Sequence, residues 1–125
     1  MEWEAAQVLL IANGVWDLCC AVSILFGVSP LQNVHMSVWK EEEDQDNTAA
    51  RHLMAYLILV WGGMRLMAAA GWGLEWAWVS YLIETNVFAC ETLLFERMHA
   101  GQGMAVSVAS FLLVFCFYLA FSVLD

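Results

Sequence analysis

Basic residues are scarce in this sequence. Its 125 residues include four lysines and arginines against thirteen aspartates and glutamates, and the formal net charge is −9. Nucleic-acid binding requires a basic footprint that neutralises phosphates, and attraction to anionic lipid headgroups requires a polybasic segment. The sequence therefore excludes nucleic acid as a partner, and it contains no patch for anionic lipids.

Motifs for metals, disulfides and secretion are also missing. The four cysteines lie inside apolar runs without CxxC spacing or a neighbouring histidine motif, so we expect small buried hydrophobic side chains rather than a metal site or disulfides. The opening MEWEAA is acidic, whereas a secretory signal opens on a basic region. We therefore expect the first apolar run to be a retained helix.

Charged residues make up only 14% of the chain and hydrophobic residues 62%, whereas soluble domains average about 25% and 45–50%. Four apolar runs, at about 5–28, 50–70, 74–95 and 104–124, are each long enough to cross a bilayer, which takes roughly 20 helical residues. They lack the period-two alternation of barrel strands. The sequence predicts an integral membrane protein: one all-α domain, folded as an up-and-down bundle of four transmembrane helices in the lipid bilayer.

The connector between the first two runs, residues 29–49, has two halves. In PLQNVHMSVW, Leu31, Val34, Val38 and Trp39 recur at helical spacing, which predicts a short helix lying on the membrane surface. The acidic half, KEEEDQDNT, is either a solvated loop or a docking surface for a basic partner. Its docking candidates are Glu41, Glu42, Glu43 and Asp44.

Other features of the connector concern helix capping and orientation. Asn47 or Thr48 is expected to cap the second membrane helix. Lys40, Arg51 and Arg97 all lie on the connector side, which the positive-inside rule assigns to the cytosol.

Four ionisable side chains fall inside the predicted spans: Asp17, Arg65, Glu84 and Glu91. Such groups are costly in a membrane and each is a candidate site. Helical rise puts Asp17 and Glu84 roughly 18 Å, and Arg65 roughly 10 Å, from the face that holds the termini, so we expect Arg65 to pair with one or both carboxylates. Glu84 and Glu91 are seven residues apart and should share a face. The network has two interpretations. Its polar side chains either hold the helices to one another or to a partner helix, or they form a proton path or a catalytic acid–base pair.

Histidine and tryptophan raise the question of a cofactor. His35, His52 and His99 all lie on the connector side, where they are possible axial ligands of haem or chlorophyll, but their spacing matches no metal motif. The seven tryptophans fit the aromatic belt at the headgroup level. We therefore predict no cofactor and no metal, with contact to chlorophyll, carotenoid or haem as the alternative.

Two of the runs resemble a known family. In AARHLMAYLILVWGGMRLMAAA the features are Ala50-Arg51, Tyr56 and Gly62 to Arg65; the next run adds Tyr81, Phe88 to Glu91 and Phe95. This pattern resembles the small four-helix sterol-biosynthesis scaffold proteins of the endoplasmic reticulum, although Val87 stands where that family usually has a histidine. The resemblance covers about half of the chain and implies a non-catalytic protein of the endoplasmic reticulum that tethers sterol demethylation enzymes.

Three functions follow as hypotheses. The first is a non-catalytic scaffold or accessory subunit that holds integral membrane partners in a larger complex, with Glu91 in contact with a partner subunit or a bound lipid. The second is a pigment- or cofactor-contacting subunit of a photosynthetic or respiratory complex, in the thylakoid or mitochondrial inner membrane. The third is a small membrane enzyme or proton-coupled carrier, although no inverted repeat or broken helix indicates a transporter.

Overall fold

The fold of the chain is all-helical. The computed structural model describes residues 3–28, 30–41, 45 and 47–124, with side chains to residue 119. These residues form five α-helices and no β-strand, so the all-α prediction is confirmed. The helices are α1 (Trp3–Phe26), α2 (Gln32–Met36), α3 (Thr48–Ala69), α4 (Glu75–Ala89) and α5 (Ala100–Leu124).

Three of these helices, α1, α3 and α5, are long and apolar enough to cross a membrane. The remaining predicted span, at 74–95, is divided in the structure. Its α-helical part, α4, has 15 residues, or about 22 Å against a hydrocarbon core of about 30 Å. A 5-residue π-helix, Cys90–Leu94, then continues the helical path.

Local backbone chemistry sets the ends of these helices. Asn47 is the N-cap of α3, and its side chain accepts a hydrogen bond from Ala50 N at 2.9 Å. Gly71 and Gly73 have φ values of +96° and +135°, which side chains disfavour, and they form the short turn into α4. Glu96, at φ +53°, marks the reversal of the chain between the π-helix and α5.

The long helices pack as two close pairs. α1 packs extensively along α3, and α4 along α5, whereas α3 and α4 share a smaller contact. Glycines bring the first pair together: a Cβ added at Gly62 would lie 2.9 Å from Asp17 Cβ and 3.0 Å from the Gly14 carbonyl oxygen. Small residues at such crossings allow the backbones of membrane helices to approach closely.

The short helix predicted in the connector is present as α2, and the residues at its end pack into the bundle. Met36 and Val38, at the end of α2 and just beyond it, are buried in a hydrophobic cluster with α1, α3 and α4, while Val34 is 47% exposed. The predicted short helix is therefore present with its end packed against the bundle, and its place on the membrane surface stays a prediction. Two contacts draw the connector inward: Arg51 Nη2 donates to Gln32 Oε1 at 2.5 Å, and an antiparallel bridge joins Trp39 to Met98.

Candidate functional site

Polar side chains from α1, α3, α4 and α5 meet inside the bundle. They are Asp17 from α1, Arg65 from α3, Ser80 and Glu84 from α4, and Ser110 from α5, and each is at most 8% exposed. In a bilayer core no water is present to solvate such groups, so each must find its partner within the protein. We call these five residues the buried ionic network.

Arg65 lies at the centre of this network. Its Nη1 donates to Asp17 Oδ2 at 2.5 Å, its Nη2 to Glu84 Oε2 at 2.6 Å, and its Nε to Ser80 Oγ at 3.1 Å. The guanidinium carbon also lies 3.8 Å from the centroid of the Tyr81 ring, a cation–π contact. A single side chain thus joins α3 to α1 and α4 through charge-assisted hydrogen bonds.

A second set of hydrogen bonds orients the two carboxylates. Ser110 Oγ donates to Glu84 Oε2 at 3.0 Å, which connects α5 to the network. On the other side Asn13 Nδ2 lies 3.5 Å from Asp17 Oδ1, and the Tyr81 hydroxyl donates to Asn13 Oδ1. The network therefore has a contribution from every long helix.

The chemistry of the network follows from its charges and its enclosure. With both carboxylates ionised, Asp17 and Glu84 outnumber the one guanidinium, so the cluster carries one excess negative charge. Three cavities formed by described residues include no lining atom from Asp17, Arg65 or Glu84. The arrangement thus suits a structural bond between helices, in which removing one partner strands a buried charge.

Glu91 does not join this network, although the heptad spacing placed it on the face of Glu84. Its Oε1 accepts from Arg97 Nη2 at 2.9 Å, and its Oε2 lies 2.7 Å from Arg97 Nε. The chain reversal after the π-helix explains this pairing, because the backbone N–H groups of Arg97 and Met98 donate to the Glu91 carbonyl oxygen at 2.8 and 3.4 Å. Glu91 therefore takes the nearer cation, while Arg65 is already held by two carboxylates.

The three histidines lie in different surroundings. His35 is half-buried in α2 and His99 is exposed, while the His52 ring centroid lies 6.2 Å from that of Tyr56. Within the described residues no group of three histidine, cysteine, aspartate or glutamate side chains is placed to hold a metal ion.

The remaining candidates concern the acidic connector and the cysteines. Glu41 is exposed, whereas Glu42, Glu43 and Asp44 lie outside the described residues. All four cysteines are free, and the expectation that they are buried is wrong for Cys19 and Cys116, which are exposed on the outer faces of α1 and α5.

Sequence reasoning missed several members of the site. Asn13 lies one helical turn before Asp17, and Ser80 one turn before Glu84, so the i, i+4 rule contained a signal for both. Tyr81 was noted only for its part in the family resemblance. Ser110 is a serine in a long apolar run, and no spacing rule connects it to Glu84 on another helix.

Comparison with known proteins gave no relative: no family model, no curated protein and no solved structure matches the chain.

Proposed function

We propose that this chain is a non-catalytic membrane scaffold that crosses the bilayer four times and holds a transmembrane helix of a partner protein between α3 and α4. The observation that supports this function is an apolar groove between these two helices. Two adjoining hollows of about 280 and 190 Å³ share Leu53 and Leu57. We call the combined surface the α3–α4 groove; its other lining residues are Trp39, Ala50, Met54, Tyr56, Val60, Trp61, Ile83, Val87 and Glu91.

The rim of the groove is exposed and apolar. Leu53, Tyr56 and Val60 on α3 are 63%, 51% and 55% exposed, and Ile83 on α4 is 38% exposed. Leu53, Tyr56 and Val60 recur at intervals of three and four residues, the spacing that a neighbouring helix contacts. The rim therefore suits a second helix packed along α3.

Unsatisfied donors favour a protein occupant over lipid chains. The indole N–H groups of Trp39 and Trp61 are buried and have no hydrogen-bond acceptor in the described part of the chain. An unpaired donor is costly in hydrocarbon, and Trp61 lies roughly 20 Å along α3 from its start. Because both N–H groups are covered in the chain alone, docking has to turn the indole rings toward the groove that they line. A serine, threonine or asparagine of a partner helix then supplies an acceptor oxygen, which an acyl chain does not.

The buried ionic network has a structural role in this proposal. It uses the charges of Asp17, Arg65 and Glu84 in bonds between helices, so the bundle can remain rigid although α3 and α4 pack over a small area. The Glu91–Arg97 ion pair lies at the connector end of the groove, where a partner's polar side chains can meet it. The family resemblance adds, by analogy only, an endoplasmic-reticulum membrane and enzymes of sterol biosynthesis as the partners.

Cysteine labelling tests the four-span topology. In a variant without the native cysteines, Trp72→Cys precedes α4 and Gly101→Cys follows it. A membrane-impermeant maleimide applied to sealed vesicles should label these two positions from opposite sides. Labelling of both from the same side would show that α4 and the π-helix do not cross the membrane.

A matched pair of substitutions tests the groove. Val60→Trp fills the groove, whereas Val108→Trp adds the same bulk to an α5 residue of similar exposure, 51% against 55%. In mild detergent, native gels and mass spectrometry should show that the Val60 variant is inserted and folded but has lost its partner, while the Val108 variant retains it. Retention of the same partner by both variants would overturn the groove as the docking site.

A further inference from the structure

A separate cavity lies where α1, α4 and α5 meet the connector. Its volume is about 480 Å³, and it shares no lining residue with the α3–α4 groove. Its walls are formed mainly by apolar side chains: Trp16, Val34, Val38, Phe88, Ala105 and Val106. We call this space the connector cavity.

The polar groups of the connector cavity carry no fixed charge. They are His35, Ser37 and Gln102, and no aspartate, glutamate, lysine or arginine lines the space. His35 Nδ1 is buried and has no hydrogen-bond partner in the described chain. Burial lowers the pKa of His35 below its ordinary value of 6.5, so the ring is neutral at physiological pH. A ligand group at this end meets hydrogen-bonding side chains but no counter-charge, which favours an uncharged group able to hydrogen-bond.

The position of the cavity is suited to a molecule that enters from the bilayer. Trp16 and Val34 are 45% and 47% exposed, so the space is bounded by residues on the outer surface. Gln102 belongs to the first turn of α5 on the connector side, whereas Trp16 lies about 15 Å along α1 from its connector end. The cavity thus extends from the level of headgroups to the level of acyl chains.

We propose that the connector cavity binds a single-chain lipid with an uncharged, hydroxyl-bearing headgroup, of which a monoacylglycerol is the simplest kind. The headgroup hydrogen-bonds to His35 Nδ1 and to the Gln102 amide, and the chain lies along Trp16, Phe88 and Val106. A volume of about 480 Å³ is in the range of pockets for small ligands, roughly 300–1,000 Å³, and accepts one chain rather than a whole diacyl lipid. This inference does not depend on the proposed scaffold function.

The test uses the full chain in phosphatidylcholine nanodiscs and a monoacylglycerol that carries a photoactivatable diazirine in its chain. Labelled peptides are mapped by mass spectrometry. We expect the label on the α1 and α5 segments that contain Trp16 and Val106, and we expect competition by monoolein but not by oleate or lysophosphatidylcholine. Ala105→Trp, which fills the cavity, should reduce labelling about tenfold, whereas Ala109→Trp, an exposed position one turn further along α5, should leave it unchanged.

A second variant addresses the polar end. His35→Phe keeps a ring but removes the acceptor, and loss of one hydrogen bond should weaken monoolein binding about two- to tenfold. Labelling spread over all lipid-facing helices and insensitive to both Ala105→Trp and His35→Phe would overturn the proposal. Equal competition by oleate or lysophosphatidylcholine would also overturn it, because the site would then not select an uncharged headgroup.

Discussion

Replacement of Arg65 by leucine should destabilise the protein far more than the same replacement of Arg97. Arg65 donates hydrogen bonds at 2.5, 2.6 and 3.1 Å to two carboxylates and a serine, and its side chain is 1% exposed. Arg65→Leu leaves Asp17 and Glu84 buried without a cation. Loss of one partner from a buried ion pair costs about 3–5 kcal/mol.

The exposed ion pair between Arg97 and Glu91 gives the loss of stability with which Arg65→Leu is compared. The Arg97 side chain is 51% exposed, and exposed ion pairs contribute only about 0–1 kcal/mol. The two variants should therefore differ by at least about 2 kcal/mol in the free energy of unfolding. The measurement is reversible unfolding in mixed detergent micelles, followed by tryptophan fluorescence.

A charge-free variant separates the cost of stranded charge from loss of packing. Combining Asp17→Asn, Arg65→Met and Glu84→Gln removes every charge from the network while nearly preserving volume. It should recover most of the stability that Arg65→Leu loses, because uncharged replacements of a buried ion cluster are often neutral. An Arg65→Leu variant no less stable than Arg97→Leu, or a charge-free variant as unstable as Arg65→Leu, would show that stranded buried charge is not what destabilises the protein.

Two further predictions concern helix packing and pH. Gly62→Ala should lower the free energy of unfolding by about 1–3 kcal/mol through overpacking, whereas Gly63→Ala, whose Cβ would meet nothing within 4 Å, should not; equal thermal midpoints would contradict this. Burial lowers the pKa of His35 below 6.5, so the unfolded chain binds a proton more readily and stability should fall as the pH drops below that value. His35→Gln should flatten this part of the pH profile of the unfolding free energy, and an unchanged profile would show that other groups account for it.

The helical class and the location of the long helices could be predicted because they depend on composition and run length. Asn47 as the cap of α3 could be predicted from local sequence. The division of the predicted span 74–95 into α4 and a π-helix could not be predicted from the sequence. Nothing in the π-helical segment CETLL distinguishes it from an α-helix before the chain reversal at Glu96 is known. The packing of Met36 and Val38 into the bundle was missed for a similar reason: the connector is held by contacts with Arg51 and Met98, which are distant in sequence.

Part of the candidate site could be predicted, because an ionisable side chain inside a membrane is costly and therefore stands out in the sequence. Asp17, Arg65 and Glu84 are ionisable groups at similar depth, so helical rise placed them within reach of one another. Helical rise gives depth but not the direction in which a side chain points from the helix axis. For that reason the contribution of Ser110 from another helix was missed. Glu91 was assigned to the network by its heptad spacing from Glu84, a rule that assumes an unbroken α-helix, whereas a π-helix begins at Cys90.

In the proposed function, the α3–α4 groove holds a transmembrane helix of a partner protein. Photo-crosslinking in native membranes can identify that helix, with a benzophenone amino acid at Tyr56 in the groove and at Val108 on α5 as the control. We expect crosslinked peptides from position 56 to map to a membrane-spanning segment of one integral membrane protein, and we expect this product to be absent from position 108 and lost on Val60→Trp. Crosslinks from position 56 to lipid alone, or the same protein products from both positions, would contradict it.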